Sequence, residues 1–208
     1  MMAAKQLLAD FLKNSGPAGF RHFYNAHFPG LWSIVLDAKG ECLTRLFVAE
    51  EGKLHPDLQT LAGKFLWHAH GYGFAETTLA GHVANVCIRP GTDHLFFRYR
   101  IEAGIDSGRR PRLTRLDSER FDAYRVDLCM AGDSFSLDHK TIHRVTFNPC
   151  PHSGWFACLV REEYKVPAPS DVFSEYVLDE VPDADHLYIE KSQVEANRIV
   201  RDLLDTLS

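Results

Sequence analysis

Trp67-His68-Ala69-His70-Gly71-Tyr72-Gly73-Phe74-Ala75-Glu76-Thr77-Thr78-Leu79-Ala80-Gly81 is the stretch on which the fold turns. In an extended strand alternate side chains share a face, so His68 and His70 point the same way, about 7 Å apart along the chain. Two imidazoles on one inward face can hold one transition metal, provided a neighbouring strand supplies a third ligand. A second segment, Gly132 to Val145, offers one. Gly132 opens a turn, a strand follows, and His143 lies eleven positions on, ahead of Arg144-Val145. His139, four residues earlier, is its rival. Glu76 is either a further ligand or a hydrogen-bond partner of the ligands, and His82, just past Gly81, is read as solvent-facing or supporting.

Outward from this stretch the chain keeps a period of two. Trp32–Asp37 and Glu41–Val48 flank Ala38-Lys39-Gly40, a hairpin pattern. Short strands are expected over 64–70, 74–80, 82–89, 94–102, 123–130, 134–137, 143–147 and 154–162. Turn residues separate most of them, among them Gly71, Gly73, Gly81, Pro90-Gly91, Gly132-Asp133 and Asn148-Pro149. Many short strands at this spacing predict an all-β barrel or jelly roll. Helical spacing brackets it: an N-terminal helix over about 4–14 with Leu7, Leu8, Phe11 and Leu12, and a C-terminal helix over about 191–207 with a stripe of Val194, Ile199, Leu203, Leu204 and Leu207. Gly104 to Arg120, rich in arginine, reads as a solvated excursion or a lid for an anionic substrate. Val166 to Asp185, with three prolines, reads as a tail wrapped on the barrel.

Composition narrows the function classes. The 208 residues, 45% apolar and 25% charged, have the mixture of one soluble globular domain. A formal charge of −5 argues against a nucleic-acid footprint. No run approaches the roughly 18 apolar residues of a membrane span. Five cysteines without a CxxC pair make neither a disulfide framework nor a thiolate zinc site, and point to the cytoplasm. Cys87, Cys129 and Cys158 read as small core residues.

The two histidine segments, in this order, resemble the paired motifs of the cupin superfamily. The resemblance covers roughly 30–162 and implies a double-stranded β-helix (jelly-roll) barrel with terminal helices, one domain over 1–208. Where that superfamily often carries a glutamate, seven positions before the turn glycine, this sequence has Phe74, and Glu76 sits five before Gly81. Three histidines without a carboxylate resemble the thiol dioxygenases of the cysteine dioxygenase type. His143-Arg144-Val145 repeats their last motif. Leu43-Thr44-Arg45 resembles their substrate-anchoring stretch, and Arg45 shares the parity of Leu43 and Phe47. The cysteine that members cross-link is absent. Arg161 falls near the place of their active-site tyrosine, and Tyr72 is a candidate donor beside the ligands.

The resemblance implies Fe(II) on His68, His70 and His143, with zinc, nickel or manganese as alternatives. It implies open metal positions for a small-molecule thiolate and O₂, with Arg45 on the carboxylate and a sulfinate as product. Members of the superfamily often pair through edge strands, which implies a homodimer. Three other readings stand beside it. One is a 2-oxoglutarate-type oxygenase built on His55-Pro56-Asp57 and His143. Another is a non-oxidative metal-dependent isomerase, lyase or hydrolase, and the third is a non-catalytic binding barrel.

Overall fold

Alternation of apolar and polar side chains dictates two sheets with a shared interior. The computed structural model describes residues 1–27, 29–54, 67–102, 112–166, 171–177 and 188–207. Helix α1 spans Met2–Asn14 and α2 Gln193–Thr206. Between them lie β1 (His22–Tyr24), β2 (Leu31–Lys39), β3 (Cys42–Ala49), β4 (Trp67–His68), β5 (Tyr72–Ala80) and β6 (His82–Glu102). Then come β7 (Arg112–Met130), β8 (Ser134–Leu137), β9 (Ile142–Asn148), β10 (Phe156–Lys165), β11 (Asp171–Ser174) and β12 (Ile189–Lys191).

One sheet runs β12-β1-β2-β3-β10-β5-β8 and the other β11-β4-β9-β6-β7, with every pairing antiparallel. The last four strands of the first sheet, β3-β10-β5-β8, alternate early and late segments of the chain. The set β4-β9-β6-β7 does the same opposite them. Two interleaved four-stranded sheets of this order are a jelly roll, the all-β barrel that the strand spacing predicted.

Parity sorts the core into two layers. Leu31, Phe47, Phe74, Val83, Cys87, Phe147, Phe156, Cys158 and Val160 fill the space between the sheets. The alternate residues of the larger sheet, including Trp32, Ile34, Leu46, Val48 and Leu159, bury against Leu8 and Phe11 of α1 and Ile199, Val200 and Leu203 of α2. Each such large apolar side chain contributes about 1.5–3 kcal/mol. Helix α2 starts where it does because Ser192 and Glu195 form a reciprocal capping box. Val194, placed in the apolar stripe from sequence, is 77% exposed, because at helical spacing it shares the outer face with Arg198 and Arg201, opposite the buried Ala196, Ile199, Val200 and Leu203.

The two turn glycines earn their positions. Gly81 has φ +73°, and a Cβ there would sit 2.2 Å from the Asn148 carbonyl oxygen. Gly132 has φ +99°. Both conformations are costly for any side chain.

Three expectations change. Pro90-Gly91 does not turn the chain: β6 runs through it as a bulge, with the register shifting between Pro90 and His94. The Asp122 carboxylate stabilises that bulge by accepting the Thr92 and Asp93 N–H groups, in the space a Gly91 side chain would need. Residues 112–120, expected as part of a solvated excursion, are strand in β7; 103–111 lie outside the described residues. In the tail, β11 pairs with both β4 and β6. There Asp171 accepts hydrogen bonds from Arg98 and Arg100, so the tail is tied to β6 as a strand and does not merely wrap on the barrel. Among the described residues no helix is long and apolar enough to cross a membrane.

Candidate metal centre

His68 ends the two-residue β4, and its backbone register partner is His143 on β9. Pairing across antiparallel strands puts two side chains of one face next to each other. His70 follows just past β4 and folds back to join them. The three rings lie 4.7–5.2 Å apart between centroids. One ligand nitrogen from each falls within 4.8 Å of the others. Nε2 of His70 and Nε2 of His143 are 3.1 Å apart. Two nitrogens each about 2.1 Å from a common ion are separated by about 3.0–3.4 Å, so this spacing fits one cation between them.

Electrostatics favour the same state. Burial, then the neighbouring imidazole of His68, holds His70 and His143 well below the usual histidine range. Neutral imidazole is the metal-binding form. The Nδ1 of His143 is hydrogen-bonded at 2.8 Å to Oδ1 of Asn85, a fully buried residue of β6. A carbonyl oxygen only accepts, so His143 carries its proton on Nδ1 and turns the Nε2 lone pair toward the other two rings.

Phe74 stands in the place where the resemblance would put a carboxylate ligand. Its ring packs 5.2 Å from His70 and 5.8 Å from His143. Glu76 points inward two residues on, but it lies beside Cys158, not among the histidines. Burial pushes its carboxyl up to about 8. The donor set is therefore three imidazoles, those of His70 and His143 held neutral by burial, suited to Fe(II), zinc, copper or nickel.

The other sequence candidates divide by strand parity. Arg45 faces inward from β3 and is about a quarter exposed, with Nε 3.9 Å from a carboxylate oxygen of Glu162. Tyr72 stacks on His70 at 4.7 Å. Burial, then the Glu162 charge, raises its phenol to about 12, so it stays a hydrogen-bond donor. Arg161 is a correction: its side chain is 67% exposed and pairs outside with Glu163. One-residue alternation turns Glu162, not Arg161, inward. Glu162 is 6% exposed, accepts the Leu43 N–H and pairs with Lys165 as well as Arg45. His139 is half-buried and 3.4 Å from the Tyr164 hydroxyl, and His82 begins β6 opposite Asn148; neither belongs to the three-histidine group. His55 and Asp57 lie outside the described residues.

Sequence reasoning missed Asn85, Glu162 and His27. Val83-Asn85-Cys87 alternates on one face, so a polar residue inside an apolar pattern was the available signal for Asn85. Glu162 has the same kind of signal, following Phe156, Cys158 and Val160 at even spacing. His27 sits in an irregular aromatic stretch with no period to betray it.

No family model matches the chain, and no curated protein matches its sequence. Solved structures do align with it. Hydroxypropylphosphonic acid epoxidase from S. wedmorenis aligns at 9% identity and a TM-score of 0.35, over 69% of this chain and 55% of that one. A hydroquinone 1,2-dioxygenase bound to Cd²⁺ and 4-hydroxybenzonitrile aligns at 13% identity and 0.33, over 76% and 71%. An oxalate oxidase aligns at 14% identity and 0.32, over 80% and 61%. The chain thus spans about half the length of the first.

Proposed function

We propose that this protein is a metal-dependent oxidoreductase of the non-heme Fe(II) dioxygenase class, acting on a small anionic thiol or related carboxylate. The observation that carries the reading is the convergence of His68, His70 and His143, with lone pairs facing one another at metal-sharing distance. Because all three donors are neutral and Phe74 excludes a carboxylate, a bound dication keeps its full charge toward the open side of the site. That favours anionic ligands. Fe(II) bound there would supply adjacent positions for a thiolate and for O₂.

The chain's own groups complete the argument. Arg45 is charge-balanced by Glu162 at 3.9 Å, beyond hydrogen-bond range, so its guanidinium can turn to a substrate carboxylate. Lys165, 3.3 Å from Glu162, offsets the negative charge that an incoming carboxylate would meet. Tyr72, protonated at neutral pH, is a donor beside His70. Holding the anionic group and the reacting sulfur at fixed points supplies orientation.

The test is metal analysis of anaerobically purified protein together with O₂ uptake across small thiols bearing one carboxylate. Stoichiometric iron and thiol-dependent uptake are expected. Iron without such uptake would move the reading to another oxygenase substrate. Tightly held zinc, nickel or manganese with no O₂ consumption would replace oxidation by isomerase, lyase or hydrolase chemistry.

A further inference from the structure

A fourth histidine stands close to the metal centre on a wall built from two distant parts of the chain. His27 lies on the segment that links β1 to β2. That segment is pinned by its own backbone: Asn25 Oδ1 accepts the Gly30 N–H at 2.9 Å and Ala26 N–H donates to the Leu31 carbonyl at 2.8 Å. Tyr188, next to β12, is fastened to the same segment by its N–H to the Asn25 carbonyl, 3.2 Å away. The Tyr188 hydroxyl then meets Nδ1 of His27 at 2.7 Å, with the rings edge-on at 5.5 Å.

His27 and Tyr188 are both held at left-handed backbone angles, φ +66° and +53°. Non-glycine residues keep such angles only where their surroundings over-determine them, and such residues cluster at functional sites. Underneath, the His27 ring rests on Phe47 at 5.7 Å, and Phe47 in turn stacks on Phe147 inside the barrel. On the other side His27 is within electrostatic reach of His68, His70 and Arg45. Burial of the ring, then the His68 and Arg45 charges, lowers His27 to about 3 and keeps it neutral, while the residue as a whole still reaches the protein surface. A neutral imidazole on an aromatic floor, coupled to the metal centre and to the anion anchor and reaching the surface, is placed to meet a ligand that enters there.

We propose that His27 hydrogen-bonds the anionic ligand held on the open side of the three-histidine centre, and that Tyr188 is the positioning residue that fixes its ring and tautomer. The proposal rests on the metal-binding reading above. With the Tyr188 hydroxyl as donor to Nδ1, the proton of the neutral His27 ring sits on Nε2 and is presented to an anion. Substrate recognition is then two-pointed. Arg45 takes the carboxylate, and His27 takes the negative atom at the metal.

The probe is azide, an anion that needs no knowledge of the substrate, titrated into Co(II)-loaded protein and followed by visible absorption. His27→Phe should weaken azide roughly tenfold or more, the scale of one hydrogen bond to a charged group. Tyr188→Phe should weaken it by a smaller factor, and His27→Gln, which keeps an N–H, should recover most of the affinity. Co(II) stoichiometry should stay unchanged in all three. Azide affinity unaltered in His27→Phe at full Co(II) loading would overturn the proposal. So would a Co(II)-loaded parent protein that shows no response to azide. Failure of the parent to bind Co(II) at all would instead bring down the three-histidine centre, and this proposal with it.

Discussion

Inside one barrel, desolvation acts on two sets of ionisable side chains and produces opposite chemistry. His68, His70 and His143 converge where β4 meets β9, whereas Glu76 and Cys158 lie together on β5 and β10. Burial disfavours charge in both places. For an imidazole the neutral form is the ligand, so burial of His70 and His143 prepares a metal site. For a carboxyl the neutral form is a poor ligand, so burial of Glu76 takes a potential ligand out of use. The contrast gives a physical reason for a three-histidine centre without a carboxylate, apart from any resemblance.

The sharpest way to break the contrast is mutational. His143→Ala should lower metal affinity at least about a thousandfold, taking metal content measured by mass spectrometry from about one ion per chain to near none. His68→Ala and His70→Ala should do the same. Glu76→Gln should leave metal content unchanged. A Glu76→Gln protein as metal-poor as His143→Ala would place the carboxyl at the metal and undo the comparison.

Opposite pH signs sharpen it further. Glu76 has a folded value of about 8, raised above its ordinary 4.5. Between those values the unfolded chain releases the proton and the folded chain keeps it, so stability falls as pH rises. Glu76→Gln removes this loss. It should stabilise the protein above pH 8 by a few kcal/mol, on the order of 4, and do nothing near pH 4.5. The histidines behave the other way. The folded values of His70 and His143 lie below the unfolded 6.5, so the metal-free protein should lose about 1.4 kcal/mol for each of these two per pH unit below 6.5, until the folded values are reached. Urea unfolding of metal-free parent and Glu76→Gln proteins from pH 5 to 9 reads both limbs. A Glu76→Gln advantage that grows toward acid would invert the argument.

A smaller effect isolates orientation from ligation. Asn85 touches no metal, but its Oδ1 fixes the His143 tautomer. Asn85→Leu should weaken metal binding about 10- to 100-fold, measured by competition with a chelator, while all three ligands remain. Unchanged affinity would mean that packing alone, including the Phe74 ring, orients His143.

Much of this was legible in the sequence because barrels write their interior at period two. His68, His143, Arg45 and the turn glycines Gly81 and Gly132 all announce themselves through alternation or through a backbone angle that only glycine tolerates well. The failures have physical causes too. Pro90-Gly91 looked like a turn, but a carboxylate thirty residues downstream supplies the hydrogen bonds that let a long strand bulge through it. His27 and Tyr188 meet across 161 positions of sequence on irregular backbone, where no periodicity exists to read.

Arg161 and Glu162 are the smallest and cleanest test, because they are adjacent residues of one strand. From sequence the guanidinium looked like the site residue. In the structure alternation sends it outward to Glu163 and sends the carboxylate inward to Arg45, Lys165 and the Leu43 N–H. Arg161→Ala should therefore change stability by no more than about 0.5 kcal/mol and leave thiol-dependent O₂ uptake intact. Glu162→Gln keeps the shape but removes the counter-charge of Arg45. It should tighten an anionic substrate, seen as a lower KM with little change in kcat. If Arg161→Ala raised KM while Glu162→Gln left it alone, β10 would have to present the opposite face to the substrate, and the two-sided reading of the whole sheet would fail with it.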